Sequence, residues 1–386
     1  MNKKWILALI LLFSIPLIVS CSNKNAKTIS QLKEEEKLKE EAKLKEEEKK
    51  KEEEKKREEE RKKEEARKKE EEERKKLAEE EAYKKLIKNP LTGLPLDNQT
   101  YKGRIISVMI DNHPDARFQA GLSDAGIIYE MEAEANIPRI IALFYNSKTR
   151  LIGPIRSLRP YFFDYIKEHD GLLVRYGGSP NADNIVYSEG YEEIDGMTTS
   201  SEYIWRSSET GTVAPHNAFT NPDAIEKAIK TYGYKEELDK NPVFKFSLRE
   251  KKNEKVQGKT CNKITFSYTS GLNTSYTYSD YEKEYKKMSD GKDHIDFLTQ
   301  KPLSFKNILV QKVYMGFESD GVHRTMDNVG EGEGYYLTNG KIYNIRWKKE
   351  DKNSPTKYFL QDEELELNPG KTAVQINDIS KNIEIE

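Results

Sequence analysis

Between Lys33 and Lys76 the chain runs through 44 residues of which 40 are Lys, Arg or Glu, 20 basic and 20 acidic. Leu38, Ala42, Leu44 and Ala66 are its only uncharged members. No stretch of this kind can enter a hydrophobic core, and it lacks the apolar residue every 3.5 positions that a coiled-coil seam requires. It is instead rich in Glu→Lys/Arg pairs four residues apart, such as Glu35–Lys39, Glu47–Lys51, Glu53–Arg57, Glu59–Lys63 and Glu65–Lys69. Each such pair supports a solvated helix by about 0.2–0.5 kcal/mol, and Glu, Lys and Arg are good helix formers. The spacing predicts a single solvated helix from about Ile29 to Ile87, stopped by Asn89-Pro90; a flexible charged linker is the alternative. Either serves as a spacer.

Taking those 40 residues from the 132 charged residues leaves 92 in 342, about 27%, the charge density of an ordinary folded chain. Downstream of Lys76 there are 41 basic and 47 acidic residues, a net charge of −6 that argues against a general nucleic-acid binder. The first twenty residues read as an export signal: Lys3 and Lys4, then a mostly apolar run from Trp5 to Val19 that is short for a spanning helix and is interrupted by Pro16. The run ends in Ile18-Val19-Ser20-Cys21, which resembles a bacterial lipobox. The resemblance implies cleavage before Cys21, a diacylglyceryl group on its sulfur, and a lipid-anchored protein on the extracytoplasmic face of a cell membrane. Cys261 is then the one remaining cysteine, so an intramolecular disulfide is excluded and the fold must rest on its core. Cys261 reads as a structural thiol at the start of a strand.

From 89 to 234 short apolar runs alternate with turn residues. Strands are expected over 104–110, 126–131, 139–145 and 172–176, and helices over 159–169 and 224–232, giving an α/β or α+β first domain. A polar connector (235–259) leads to a β-rich second domain (260–378) and a short tail (379–386). There the strongest strand is 307–314, and Asn339-Gly340 marks a hairpin turn between 335–337 and 342–347. Its Tyr and Trp residues fit either sheet packing or stacking on sugar rings.

Several motifs in fixed order carry a family resemblance. Asn89-Pro90-Leu91-Thr92-Gly93, Asn112-His113-Pro114, Gly121-Leu122-Ser123-Asp124-Ala125, Tyr129-Glu130, the Gly153–Tyr161 segment, Gly178-Ser179, Trp205-Arg206 and Pro215-His216-Asn217 together resemble the YerB family of bacterial lipoproteins. The resemblance implies a two-domain extracytoplasmic lipoprotein and brings no reaction with it. The long charged stalk departs from the family's shorter linker.

The residues themselves suggest chemistry. Arg117, Arg139, Arg156, Arg159 and Arg206, with Gly178 and Ser179 after a strand, form a candidate anion site, since a guanidinium fork gives two parallel charge-assisted bonds and a Gly-rich turn can add backbone N–H donors. The competing reading pairs these arginines with nearby acids, Asp111, Asp124, Glu130, Glu132 and Glu134. Asp111, His113, Asp124, Glu130 and His216 are candidate acid/base or hydrogen-bonding residues. The spacing shows no zinc motif, no nucleophile elbow and no phosphate loop, so no metal or cofactor is expected. The segment 142–156, with Pro154 and Arg156, loosely resembles the core of LytR-CpsA-Psr enzymes, which transfer wall polymers from polyprenyl pyrophosphate carriers. The leading expectation is a membrane-anchored binder of an anionic envelope ligand, of polyprenyl-phosphate or wall-polymer (glycan) type. A phosphotransferase or hydrolase acting on that ligand, and a scaffold for a membrane-protein partner, are the alternatives.

Overall fold

The computed structural model describes residues 28–134, 137–248, 257–269 and 272–386. The export signal and Cys21 lie outside the described residues, as does part of the connector.

The charged tract is one helix, α1 (Ile29–Lys84), 56 residues with no buried side chain. At 1.5 Å per residue it is roughly 85 Å long. Most of its ion pairs run in the favourable orientation: Glu46–Lys50, Glu58–Lys62, Glu64–Lys68 and Glu72–Lys76 close at 2.8–2.9 Å, while Arg61–Glu65 runs the other way at 3.9 Å. Among the described residues no helix is long and apolar enough to cross a membrane.

Residues 83–386 form a separate compact unit. In the first segment, β1 (Ile106–Ile110), β2 (Ile127–Glu132), β3 (Pro138–Phe144) and β4 (Leu172–Arg175) form from the expected apolar runs, and a short further strand, β5 (Glu193–Asp195), joins them. With α2 (Pro160–Glu168), α3 (Pro180–Glu189) and α4 (Pro222–Tyr232) they make a mixed αβ segment. The helix α3 was not expected from the sequence. Its signals are nonetheless present: Ser179 accepts the Ala182 N–H as N-cap, Pro180 takes the first helical position, and Gly190 closes the helix at φ 58°.

Strands of both sequence segments belong to one twelve-stranded sheet. Its order is Glu363–Glu364, Lys357–Leu360, Lys341–Lys349, Gly330–Thr338, Asn307–Val313, Thr372–Asp378, β2, β3, β1, β4, β5, with Lys259–Thr260 added beside Lys341–Lys349. The Thr372–Asp378 strand is parallel to both neighbours: Thr372 pairs with Asn307 on one side and Ile127 on the other. The expected hairpin forms about Asn339-Gly340, both with positive φ (52° and 71°), the geometry that an Asn-Gly turn supplies. A six-stranded antiparallel sheet, centred on Lys263–Thr269, Leu272–Ser279 and Glu284–Ser289, comes from the second segment together with Ile383–Ile385 of the tail, which pairs with Lys263–Thr269.

Alternation along the central strands divides the core in two. Val108, Ile110, Ile128, Ile140, Ala142, Ile308 and Val310 pack with Phe266, Tyr276 and Tyr285 of the six-stranded sheet and with Ile225 and Ile229 of α4. Met109, Tyr129, Ile141, Leu143, Leu309 and Val374 pack the other way, against Phe162, Phe163 and Ile166 of α2 and Val186 of α3. The large sheet is thus covered on both faces. Cys261 is buried in the first of these cores, and burial pushes its thiol pKa up, as a structural cysteine requires.

Candidate functional site

The C-terminal end of β1 gives way to Asp111, Asn112 and His113. Alongside it runs Ile152–Arg156, held by the Asp111 N–H on Pro154 O (2.8 Å), the Arg156 N–H on Met109 O (2.9 Å) and the Ile155 N–H on Ala218 O (2.7 Å). Those bonds bring three distant stretches of chain to one place.

Asp111, buried, is the hub. His216 Nδ1 lies 2.8 Å from Asp111 Oδ2. A carboxylate can only accept, so Nδ1 donates, and the neutral ring keeps its lone pair on Nε2. Arg156 Nε stands 3.4 Å from the same oxygen. The other oxygen takes the His113 N–H at 3.0 Å. The His113 ring stacks on His216, with centroids 4.8 Å apart and planes 17° from parallel. His113 Nδ1 accepts the Asp115 N–H at 3.2 Å, which leaves its proton on Nε2. Behind Asp111, Gln119 donates to its carbonyl (2.9 Å), and Gln119 Oε1 meets His294 Nε2 at 2.7 Å.

Beside this cluster lies a cleft of about 630 Å³, lined by Arg156, Arg175, Tyr176, Gly178, Arg206 and Pro215 among others. Arg175 holds three carboxylates, those of Asp183, Glu193 and Asp195, and so gathers the acidic groups of the cleft around one guanidinium. Arg206 lies over the Tyr176 ring, 4.7 Å from its centroid, and donates to Asn217 Oδ1 at 2.7 Å. Gly178 permits close packing here: a Cβ would fall 2.4 Å from Asp183 Oδ1 and 2.6 Å from Arg175 Nη1.

Of the arginines singled out from sequence, Arg156 and Arg206 share this cleft. Arg139 and Arg159 do not line it. Both are held by Glu134, and Arg139 also donates to Ser157 O at 2.7 Å. Burial first, then the charge of Arg159, lowers the Arg139 guanidinium to about 10, which leaves it charged at neutral pH. Arg117 pairs with Asp290 at 2.5 Å, away from the cleft. The Gly-rich turn is also committed internally: the Gly177 N–H goes to Asp195 Oδ1 (2.7 Å) and the Ser179 N–H to Leu158 O (3.2 Å). Those two amides are therefore not anion donors, and Ser179 is a helix cap.

Among the candidate acids and bases, Asp111, His113 and His216 converge, while Asp124 and Glu130 do not. Asp124 accepts from Ser147 Oγ and from the Lys148 N–H. Glu130 is buried against Lys287. Sequence reading missed Arg175 and Asp115. The Tyr176-Gly177-Gly178 turn after β4 marked the place of the first, and Asp115, two residues beyond His113, carried no motif.

The cluster can do three things chemically. His216 Nε2 can take a proton with Asp111 holding the ring; the paired histidines can ligate; and Arg156 with Arg206 can hold an anion.

Two family models cover the unit. One, described as the N-terminal domain of a protein of unknown function (DUF3048), matches residues 91–235, and its C-terminal counterpart matches 263–374. YerB of Bacillus subtilis (strain 168), whose name assigns it to the lipoproteins, is 32% identical over 270 residues, 69% of this chain and 79% of that protein. The crystal structure of the B. subtilis YerB protein superposes with a TM-score of 0.69 at 29% identity, covering 77% of this chain and 99% of that one. The motifs read from the sequence, the sequence match and the shared architecture agree: the chain belongs to the YerB family.

Proposed function

We propose that this chain is a lipoprotein anchored through Cys21 at the extracytoplasmic face of a bacterial membrane, and that its cleft binds a phosphate-bearing envelope ligand of polyprenyl-phosphate or wall-polymer type. The lipobox and the name of the B. subtilis relative support the anchor. One observation carries the ligand class. Arg156 and Arg206 line one cleft in which the carboxylates Asp183, Glu193 and Asp195 are all gathered on Arg175, so the two guanidinium groups give a local positive face within a lining whose formal charges balance. Tyr176 and the exposed Tyr187 and Met197 add apolar surface at the same walls, which suits a ligand with an apolar or sugar portion beside its phosphate.

Calorimetric titration of the metal-stripped chain with a short-chain polyprenyl pyrophosphate, and separately with inorganic pyrophosphate, tests this. Binding of either by the wild type, weakened at least tenfold in Arg206→Ala with an unchanged melting temperature, is the expected result. Tighter binding of the polyprenyl compound would place its apolar tail on the Tyr187 and Met197 walls. If neither probe binds the wild type, the anion reading falls and a protein-interaction scaffold replaces it.

A further inference from the structure

The stacked histidines define a second site in the same region, one that no spacing motif announces. His113, Asp115 and His216 each offer a ligand atom within 4.8 Å of the others. We infer that these three residues bind one divalent transition-metal ion of the zinc class.

The donor set follows from the hydrogen bonds. His216 has Nδ1 committed to Asp111, so its lone pair is on Nε2. Metal-bound histidines almost always give their second ring N–H to a carboxylate or carbonyl, which fixes the tautomer and raises ligand basicity. Asp111 supplies that partner, and Arg156 on the same carboxylate fixes Asp111 in turn. His113 has its lone pair on Nδ1, where a single long contact from the Asp115 N–H competes for it. Asp115 Oδ2 is already 3.5 Å from that nitrogen. Neighbouring donors in a tetrahedral zinc site are about 3.3 Å apart, which follows from bonds of about 2.0–2.1 Å. Closure requires two movements: Asp115, whose side chain is 75% exposed, swings in, and the His113 ring, one-third exposed, turns out of the stack, because the in-plane lone pairs of rings 17° from parallel do not meet at one ion.

Two imidazoles and one carboxylate suit a borderline cation such as Zn²⁺ better than Mg²⁺ or Ca²⁺, which prefer oxygen-only sets. Three protein ligands leave a fourth position open for water or an oxyanion. Arg156 lines the cleft and shares the Asp111 carboxylate with His216, so an anion in the cleft would lie near both the metal site and a guanidinium. The other such group among the described residues, Glu318, Asp320 and His323, lies within one hairpin loop. There Asp320 already accepts from His323 Nδ1 at 2.5 Å and from the Val322 and His323 amides. It serves as the internal control.

The test titrates the full chain, stripped of metal and free of phosphate, with Zn²⁺ by calorimetry, and records the visible spectrum with Co²⁺. The expected result is one saturable Zn²⁺ per chain and an intense tetrahedral Co²⁺ spectrum. His113→Ala and His216→Ala should each weaken binding at least tenfold. Asp111→Asn, a positioning change, should weaken it while stoichiometry holds. Asp115→Ala replaces an exposed side chain and so keeps the test valid if a histidine variant fails to fold; it too should weaken binding. Absence of saturable binding overturns the site. So does Zn²⁺ affinity unchanged in Asp115→Ala and lost instead in His323→Ala. Because no anion is present, failure here leaves the anion reading standing, and the pyrophosphate titration fails or succeeds without metal.

Discussion

Lys287 Nζ lies 2.9 Å from Glu130 Oε2, and solvent reaches neither side chain. The contact joins the six-stranded sheet to β2 of the large sheet. Tyr268 donates to Glu130 at 3.0 Å, and Thr274 donates to the same oxygen. Lys287 finds the hydroxyls of Thr274 and Ser289 at 3.4 Å. Burial lowers the Lys287 pKa while the Glu130 charge opposes that shift. Removing one member of such a pair leaves an uncompensated buried charge, which costs about 3–5 kcal/mol, whereas apolar replacement of both is often close to neutral. Lys287→Met should therefore destabilise the unit by about 3–5 kcal/mol. The double variant Glu130→Leu/Lys287→Met should lose much less than the two single losses added together. Denaturant unfolding of the four chains in a double-mutant cycle measures it, and simple additivity would show that the two charges do not act as a pair.

His169 gives the unit a pH dependence. Burial holds its pKa down at about 4, and its Nε2 lies 2.8 Å from the Tyr129 hydroxyl. An unfolded histidine titrates near 6.5. Between pH 6.5 and 4 the unfolded chain therefore takes up a proton that the folded chain refuses, and stability falls as pH drops, by roughly 3 kcal/mol once both states are protonated. His294, buried and also shifted down, acts in the same direction. The expected outcome is a melting temperature that declines through this window, with a shallower slope in His169→Gln, which cannot titrate. An identical slope in the variant would remove His169 from the account.

Arg156 and Arg159, three residues apart, should behave differently. Arg156 lines the cleft, so Arg156→Ala should cost about 1.5–3 kcal/mol of pyrophosphate binding, the scale of a charge-assisted hydrogen bond. Arg156→Lys should already weaken it, since an ammonium lacks the fork. Arg159 is tied to Glu134 and to Leu158 O, so Arg159→Ala should lower the melting temperature and leave affinity intact. Affinity and melting curves on the same preparations decide between these roles.

The stalk should be helical without partners. A peptide spanning Lys33 to Lys76 is expected to show a concentration-independent helical circular dichroism spectrum at neutral pH, weakened by salt. The Glu64 and Glu72 carboxyls are held down by hydrogen bonds from Lys68 and Lys76, so the support they give is present at neutral pH and is lost as pH falls through the carboxylate range. A random-coil spectrum at neutral pH would make the tract a flexible linker.

Cys21→Ala tests the anchor. Metabolic labelling with a radioactive fatty acid should mark the wild type and not the variant, and the variant should leave the membrane fraction or remain uncleaved. Equal labelling of both would exclude Cys21 as the lipid site.

Local features were legible in the sequence because they are written in local residues. Val, Ile and Leu runs gave β1 to β4, Asn339-Gly340 gave its hairpin, and the Glu→Lys spacing gave α1. Long-range pairing was not legible. Nothing in Thr372–Asp378 states that it will lie between Asn307–Val313 and β2, because its few apolar residues, Ala373, Val374 and Ile376, set among polar ones, do not name the partners of a strand. The arginines show the same limit: Arg139 and Arg159 resemble Arg156 in sequence, yet one carboxylate, Glu134, takes both out of the candidate site. His113 and His216 carry no spacing signal, since a loop from each of two distant stretches brings the rings together.

The place of Thr372–Asp378 in the large sheet also bears on how the protein is made. Synthesis runs from the amino end, yet one of the last strands to be synthesised is hydrogen-bonded on both sides near the middle of the sheet. Until it arrives, β2 and Asn307–Val313 each present a bare edge able to recruit a foreign strand. Nascent chains stalled before Thr372 would be sticky intermediates, and a truncation that removes this one strand would be far more damaging than the length lost suggests.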